Sequence, residues 1–484
     1  MLLERGGAKT RETRGRVGRE YTVTSGGEDA NTEHSAGLPT SSIDRLLRLT
    51  GLMGRVGASL AASRLLALVQ TEPTRQVRRS EALVRNAVRI VETLGQMKGG
   101  AMKAGQMLSL HADVLPPEVA DVLRALQKEA PRVPAEVMEY EVQGALGPRF
   151  DELFRSFDRE AFAAASIGQV HRAVLRDGRK VAVKVQYPLI REIIEADLRN
   201  LRTLLGAVVG LVSDIDFEPI WREVRDRLRE ELDYAQEAAH VRRLTALHAD
   251  VPEIVIPRVV EEATTSRVLT MEFVEGLSPD EACSAAQPRE LRDRWGRVLF
   301  EFLLRGLLVT RWLHADPNLA NFGFLPDGRV IVYDFGCVKR LPDGLAAGYR
   351  ALTRAALDGR REAVPGILHG LGVRKQDGAA LSRDVTDPYF ELLSQVYRRD
   401  PPYTFGGDPG VYQRLFELGL ANLGQAADLA FPEDIVFVNR TLAGTFGNLS
   451  RLRATADWRA VAERCLSAGG PAGADVQSGR RWPS

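Results

Sequence analysis

The sequence predicts an α+β fold of two lobes, preceded by a helical N-terminal extension. Three observations lead to this prediction. Two strands joined by a tight turn end in Val-Ala-Val-Lys184. A strongly apolar helical stretch leads into Asp316 and Asn321, which lie five positions apart. A second short hairpin, turning at Pro-Asp-Gly, then leads into Asp334-Phe-Gly.

These residues have the order and spacing of the phosphoryl-transfer machinery of a protein kinase. In that machinery Lys184 would hold the α- and β-phosphates of ATP, and Asp316 would be the catalytic base. Asn321 and Asp334 would be the Mg²⁺ ligands. A lone Asp-Phe-Gly is a weak signal, whereas three motifs in the correct order are far more specific. The predicted fold is therefore bilobal and protein-kinase-like, and surface carboxylates beside a hairpin are the weaker alternative.

Composition is that of an ordinary globular protein, with 44% hydrophobic and 27% charged residues among 484. The net charge of +1 provides no basic field for nucleic acid, so no nucleic-acid partner is expected. Three widely spaced cysteines suggest neither a disulfide framework nor a zinc site. No segment reaches the ~18 uninterrupted apolar residues of a transmembrane helix, and no targeting peptide is recognised. A cytoplasmic location is expected.

The N-terminal part divides into two segments. Residues 1–38 are rich in Gly, Thr, Glu and Arg without periodicity, which predicts disorder. Residues 39–133 form the helical extension. Its first helical stretch, 42–70, mixes arginines with apolar positions and could lie on an anionic membrane surface. Packing of its apolar stripe on the next domain is the favoured alternative.

A second helical stretch of the extension, 80–110, carries Lys103-Ala-Gly-Gln106. Each glycine costs about 1 kcal/mol relative to alanine inside a helix, so a close approach or a polar contact is expected to compensate. Lys103 and Gln106 are i, i+3 neighbours and share one face. By composition alone, Lys103 is a solvated lysine.

The N-lobe is expected over 134–275, starting with a helix at 135–146. Ala163-x-Ala165-x-x-Gly168-x-Val170 occupies the frame of a glycine-rich phosphate loop whose first two glycines have become alanine. Each added Cβ closes the positive-φ region and holds the backbone farther from the phosphates. The predicted nucleotide-binding residues here are Ala163, Ala164, Ala165, Ser166, Gly168, Gln169 and Val170, together with Lys184.

Further helices are predicted at 189–212 and, as one continuous helix, at 221–248. The second contains Glu231, Asp233 and Glu237. Because an active kinase pairs its lysine with a helix carboxylate, we assign Glu237 to Lys184 as a further catalytic residue. Glu231 and Asp233 are a second acidic cluster, for which a solvated acidic face is the alternative.

Two apolar strands are predicted at 255–260 and 267–276. The second runs into a hinge between the lobes, where backbone groups of Glu272 and Val274 would meet the adenine. The C-lobe is expected over 276–468, with its first long helix at 291–308, and a flexible tail over 469–484. Ala315 replaces the arginine of His-Arg-Asp, and no Ala-Pro-Glu follows, so a conventional peptide platform is not expected.

Together these motifs resemble the UbiB/AarF/ADCK family of atypical protein-kinase-like proteins over about residues 51–468. Lys103-Ala-Gly-Gln106 is similar to the family's Lys-x-Gly-Gln motif, and Glu231-Leu-Asp233 to its Glu-x-Asp motif. The stretch 163–169 resembles its alanine-rich loop. Asn318-Leu-Ala departs from the His-Pro-Gly of many members.

The resemblance implies ATP and Mg²⁺ as cofactors and ATP hydrolysis as the activity. It implies a regulatory role for Lys103 and Gln106, whose helices would fold over the cleft and meet Glu231 and Asp233. It also links the chain to isoprenoid quinone (ubiquinone) biosynthesis and lipid homeostasis. The alternatives are a phosphotransferase acting on a protein or small hydroxyl compound, and a non-catalytic scaffold switched by nucleotide.

The partners that follow are a lipid or quinone-precursor ligand and peripheral contact with the inner face of a membrane. Many family members carry terminal transmembrane helices that this sequence does not show. The sequence contains no indication of oligomeric state.

Overall fold

The computed structural model describes residues 133–165, 167–192, 194–195, 198, 202, 217–407, 410–421 and 429–469. The predictions for 1–132 lie outside these residues, including Lys103, Gln106 and the helices of the extension. Ser166, most of the predicted helix 189–212 and the tail beyond residue 469 lie outside them too.

A four-stranded antiparallel sheet in the order β1-β2-β3-β5 forms the core of the N-lobe. Lys184 lies on the inner strand β3, opposite Val170 on one side and Leu269 on the other. The alanine-rich run was expected as a loop, yet it forms the end of the 12-residue strand β1. Ala165 pairs with Gly168, the first residue of β2, so the chain reverses direction between these two residues. The strands are β1 (Phe154–Ala165), β2 (Gly168–Leu175), β3 (Lys180–Gln186) and β5 (Val268–Glu272).

Four further helices of the N-lobe can be bounded within the described residues. The predicted first helix is present at the predicted residues, and the single helix predicted over 221–248 is wrong because two helices occupy that stretch. The break falls at Asp233, whose backbone is extended and whose carboxylate accepts a hydrogen bond from the Ala235 N–H at 3.0 Å. The chain therefore restarts a capped helix there. The helices are α1 (Ala135–Leu146), α2 (Arg149–Leu153), α3 (Phe217–Glu231) and α4 (Tyr234–Leu247).

A small sheet in the order β4-β8-β7 adjoins two of the predicted site residues, since β7 directly follows Asn321 and β8 ends two residues before Asp334. The hairpin predicted from Pro-Asp-Gly is present, with Gly328 at φ +92°, a conformation that favours glycine. The strand predicted over 255–260 shrinks to β4, whose two residues pair in parallel with β8. The strands are β4 (Ile254–Val255), β7 (Phe322–Phe324) and β8 (Val330–Val332).

The long helix predicted at 291–308 also differs from the structure. It ends at Leu304 and continues as a π-helical turn, Arg305–Thr310, which leads into the short strand β6 (Trp312–His314). Strand β6 pairs with β9 (Val338–Arg340), so the chain before the catalytic loop is tied to the chain after Asp334-Phe-Gly. π-Helical turns are rare and are frequently found at functional sites.

The described remainder of the C-lobe is mainly helical. Phe300, Phe405 and Trp458 are fully buried in one aromatic cluster, in which the Phe300 and Trp458 ring centroids are 5.2 Å apart. The elements are α5 (Pro279–Cys283), α6 (Arg289–Leu304), α7 (Asp343–Asp358), α8 (Val364–Gly370), β10 (Arg374–Lys375), α9 (Arg383–Ser394), α10 (Val411–Ala421), β11 (Leu429–Ala430), α11 (Glu433–Leu452) and α12 (Trp458–Ala468).

One continuous apolar core runs through both lobes, from Met138 to Leu466. Among the described helices, none combines the length and the apolar character needed to cross a membrane. All three cysteines lie in the described part of the chain, and none of them forms a disulfide.

Candidate active site

A buried ion pair joins the N-lobe sheet to helix α4. Lys184 Nζ lies 2.8 Å from both carboxylate oxygens of Glu237, and the two residues are 9% and 4% exposed. Lys184 lies on strand β3, and Glu237 lies in the first turn of α4. The expected pairing of these residues is present in the structure, and their catalytic role stays a prediction.

Asp334 completes a three-residue cluster at this point. Its Oδ2 lies 2.9 Å from Lys184 Nζ, and its Oδ1 accepts the Gly336 N–H at 2.9 Å. The next residue is tied to the same helix, because the Phe335 N–H donates to Glu237 at 3.2 Å and the His240 ring bonds the Phe335 carbonyl at 3.0 Å. The Asp334-Phe-Gly segment and α4 are thus held as one unit.

The charge of Lys184 is maintained by its two carboxylate neighbours. Burial lowers the pKa of Lys184, but the attraction of Asp334 and Glu237 outweighs it and holds the pKa well above its usual value. The ammonium group is therefore charged at neutral pH. Burial also raises the pKa of Glu237, against the opposing attraction of Lys184.

The predicted catalytic loop is internally hydrogen-bonded. The carboxylate of Asp316 accepts the Asn318 N–H at 3.2 Å, and the Asn321 side-chain amide donates to the Asp316 carbonyl at 3.3 Å. His314 is buried beneath the loop, where its Nε2–H donates to the Asp334 carbonyl at 2.7 Å. These contacts fix the loop against the segment that carries Asp334.

The two predicted Mg²⁺ ligands lie at the open ends of the β7–β8 hairpin. The Tyr333 N–H donates to the Asn321 carbonyl at 2.9 Å, which places Asn321 beside the residue that precedes Asp334. Carboxylate and amide oxygens suit Mg²⁺, which binds through one or two protein carboxylates and substrate phosphates. The described residues contain no larger His, Cys, Asp or Glu cluster suited to a metal. The donor set fits a nucleotide-bound Mg²⁺.

The predicted phosphate loop contains one position that only glycine fits. A Cβ on Gly168 would lie 2.0 Å from the Val185 carbonyl oxygen. The next residue, Gln169, is 1% exposed, and its side-chain amide bonds both backbone groups of Val133 at 3.2 and 3.1 Å. A nucleotide would therefore meet Gln169 through its backbone, since the side chain binds the segment that leads into the sheet.

The expected hinge carries contacts that the sequence analysis missed. The Val274 carbonyl accepts a hydrogen bond from the Tyr333 hydroxyl at 3.2 Å, and the Glu272 carboxylate accepts the Arg258 N–H at 3.2 Å. Beside them, Phe162 meets Phe273 edge-on at 5.7 Å, with the Arg172 guanidinium 5.0 Å from the Phe162 ring. No local pattern indicates these pairings.

Tyr234 is a further residue of the site that the sequence analysis did not single out. Its ring lies 5.0 Å from Lys184 Nζ, and among the described residues its buried hydroxyl has no hydrogen-bond partner. Burial raises the pKa of this hydroxyl. The spacing in the sequence could have indicated Tyr234, because it precedes Glu237 by three positions and so lies on the same helix face.

The two acidic residues predicted to be regulatory lie at the break between α3 and α4. Glu231 ends α3, and Asp233 caps α4. Their predicted contact with Lys103 and Gln106 lies outside the described residues and stays a prediction.

The N-lobe sheet, the Lys184–Glu237 pair and the loop carrying Asp316 define a protein-kinase-like protein. A profile of the ABC1 atypical kinase-like domain matches residues 125–366. The chain therefore belongs to the ABC1 family of atypical kinase-like proteins, which confirms the predicted family and fold class. Membership of a kinase-like family implies ATP binding.

Curated relatives agree with this assignment. The chain is 33% identical to atypical kinase COQ8B, mitochondrial, of Rattus norvegicus, covering 76% of this chain and 70% of that protein. It is 30% identical to atypical kinase COQ8, mitochondrial, of Saccharomyces cerevisiae, covering 88% and 85%. Identity to atypical kinase coq-8, mitochondrial, of Caenorhabditis elegans is 31%, and the chain spans about half of that relative, 49%.

A solved structure shares the fold. It is the complex of Rv3197 with erythromycin from Mycobacterium tuberculosis, with a TM-score of 0.59 and 29% sequence identity. The match covers 82% of this chain and 100% of that one.

Proposed function

We propose that this protein is an Mg²⁺-dependent ATPase of the atypical kinase class that supports isoprenoid quinone (ubiquinone) biosynthesis or lipid homeostasis. The observation that carries the proposal is the buried contact of Lys184 with Glu237 and Asp334, at 2.8 and 2.9 Å. In kinase-like folds a lysine paired in this way with a helix glutamate holds ATP phosphates.

Each residue has a distinct role in the proposed reaction. Lys184 holds the α- and β-phosphates, and Glu237 keeps the Lys184 side chain extended into the cleft. Asp316 orients the attacking water or hydroxyl, while Asn321 and Asp334 would hold Mg²⁺. When bound, Mg²⁺ neutralises the charge that develops on the transferred phosphoryl group.

Hydrolysis is favoured over protein phosphorylation by the chain that follows Asp334. Only residues 337–342 separate Gly336 from helix α7, and three of them form β9, which pairs with β6. A peptide platform of the conventional kind needs a longer segment at this position. Ala315 also replaces the arginine that would read an activation-loop phosphate.

The ligand and location stay part of the proposal. Three relatives are named COQ8-type mitochondrial kinases, and the structural neighbour was solved with erythromycin. We propose a lipid or quinone precursor as the ligand of this chain because of its family resemblance. Peripheral contact with the inner face of a membrane and a cytoplasmic location stay predictions, which co-sedimentation of the protein with liposomes would test.

ATP turnover with and without quinone-precursor mimics tests the proposed activity. Asp334→Asn is expected to lower phosphate release to background, because it removes a metal-binding carboxylate. Asp327→Asn is the matched control, since it makes the same change at the exposed turn of the neighbouring hairpin, where Asp327 contacts Arg329. Wild-type turnover by Asp334→Asn would show that the catalytic assignment is wrong.

A further inference from the structure

Helix α11 contacts the catalytic loop through one stripe of its surface. Arg440, Gly444 and Asn448 follow each other at four-residue intervals and so lie on one helix face. The helix spans Glu433–Leu452, beyond the 125–366 match to the kinase-like domain. The three residues that contact the loop therefore lie outside the matched kinase-like domain.

The two carbonyls that flank Asp316 are held by this helix. Asn448 Nδ2 donates to the Pro317 carbonyl at 2.6 Å, and Arg440 Nη2 donates to the Ala315 carbonyl at 3.4 Å. The Asp316 carbonyl between them accepts from Asn321 within the loop. Three consecutive carbonyls are thus bound by side chains, and the Asn448 bond is the shortest.

Gly444 allows the helix to approach this closely. A Cβ at Gly444 would lie 2.3 Å from Cγ and 2.9 Å from Cβ of Pro317. Gly447, one turn further along the helix, has nothing within 4 Å of its added Cβ. Because backbone geometry links Pro317 to Asp316, any displacement of the proline also moves the catalytic aspartate.

The surroundings of Asn448 strengthen its bond. The side chain is 8% exposed, and it shares an enclosed gap behind the loop with apolar side chains of α6, including Leu299 and Leu303. A hydrogen bond in such low-dielectric surroundings is stronger than one in water, and loss of its donor would leave the carbonyl unsatisfied.

We propose that Asn448 and Gly444, supported by Arg440, are positioning residues that fix Asp316 for phosphoryl transfer. The catalytic unit then extends to the end of α11, far beyond the kinase-like match. This inference rests on the proposed role of Asp316 and names the element that holds it in place.

Two substitutions test the inference in the full chain. Gly444→Ala pushes Pro317 away from the helix, and Asn448→Asp sets a carboxylate against the Pro317 carbonyl. Their matched controls are Gly447→Ala, which meets no neighbour, and Asn439→Asp, which keeps the acceptor oxygen bonded by the Tyr349 hydroxyl at 2.8 Å. All four lie on the same helix.

The kinetic readout separates positioning from general destabilisation. Because a displacement of about 1 Å can cost about 100-fold in rate, kcat for ATP turnover should fall about 10- to 100-fold in both test variants. The KM for ATP should stay at control values, since the nucleotide contacts are unchanged. The thermal midpoint should fall in both test variants, because the Pro317 carbonyl loses its donor or the proline is displaced, so kcat is compared at a temperature at which every variant is fully folded. Wild-type kcat in Gly444→Ala under these conditions overturns the inference.

A second readout does not depend on ATP turnover. The amides of Asn318, Ala320 and Asn321 are bonded inside the loop, and they should exchange hydrogen faster in both test variants than in the controls. Unchanged exchange overturns the inference, whatever the activity. If exchange rises as expected while wild type and Asp334→Asn release phosphate equally, the proposed ATPase function fails and the structural role of α11 stands.

Discussion

Lys184 is the residue around which the site is arranged, because it is one buried cation between two carboxylates. Removing one partner of a buried ion pair leaves the other uncompensated in a poorly hydrated place. Asp334 is bonded to Lys184, so the phosphates of ATP would share the ammonium group with it. The same cluster therefore stabilises the fold and prepares the cleft for a polyanion.

Lys184→Met should destabilise the protein by about 3–5 kcal/mol at neutral pH, because Glu237 is left buried without a cation. The loss should shrink as the pH falls, since burial raises the pKa of Glu237 and the protonated carboxyl needs no cation. Denaturant unfolding at pH 7 and pH 5 measures both effects.

Lys180→Met is the control for this substitution, since it removes a lysine from an exposed position of the same strand. Its stability should match wild type at both pH values. Equal unfolding midpoints for Lys184→Met and Lys180→Met would contradict the structural importance of the cluster.

At the scale of elements, the break between α3 and α4 determines how Glu237 is presented. Asp233 caps α4, and the Gln186 side chain, two residues after Lys184 on β3, donates to the Leu232 carbonyl at 2.9 Å. Strand β3 thus holds both the start of α4 and its glutamate. The family resemblance assigns Asp233 a regulatory charge, while the structure shows a helix cap.

Serine at position 233 separates these two roles. Asp233→Ser keeps a capping oxygen and should unfold at the wild-type denaturant concentration, whereas Asp233→Ala should lose about 1 kcal/mol. Both variants lose the carboxylate charge of Asp233, so their affinities for ATP and ADP test whether that charge has the predicted regulatory role. Equal stability of the serine and alanine variants would contradict the capping role, and wild-type affinities in both would argue against the regulatory one.

At the scale of the whole molecule, one core spans both lobes and buries a histidine at their junction. His248 follows α4, and its ring centroid lies 5.0 Å from that of Phe302 on α6. Burial lowers the pKa of His248 to about 4. An unfolded histidine binds its proton near pH 6.5, so between these values the unfolded state binds more protons.

Stability should therefore fall as the pH drops from about 6.5 towards 4, with a His248 contribution of about 2 kcal/mol by pH 5. His248→Phe should show a weaker loss between pH 7 and pH 5 than wild type in denaturant unfolding. The backbone N–H of residue 248 still donates to the Leu244 carbonyl in this variant. His369→Phe, at an exposed position, is the control, and an identical pH dependence in all three proteins would show that His248 contributes nothing.

The sequence by itself predicted the two lobes and singled out Lys184, Glu237 and Asp334, which the structure brings together. These residues follow local signals, since a strand, a turn or a helix face fixes where each side chain points. The hairpin at Gly328 was equally predictable, because its turn residues specify it. The break at Asp233 was not, because capping and helix propensity compete and packing decides between them.

Only the tertiary structure decided which surfaces meet. Asn448 and Pro317 are 131 positions apart, and Gln169 and Val133 are 36 apart, yet each pair is joined by a hydrogen bond. Apolar periodicity indicates which face of a helix is buried, and it carries no information on the partner that covers that face. For this reason the sequence could predict Asp316 as the catalytic aspartate, while the fold alone showed which helix contacts the residues on either side of it.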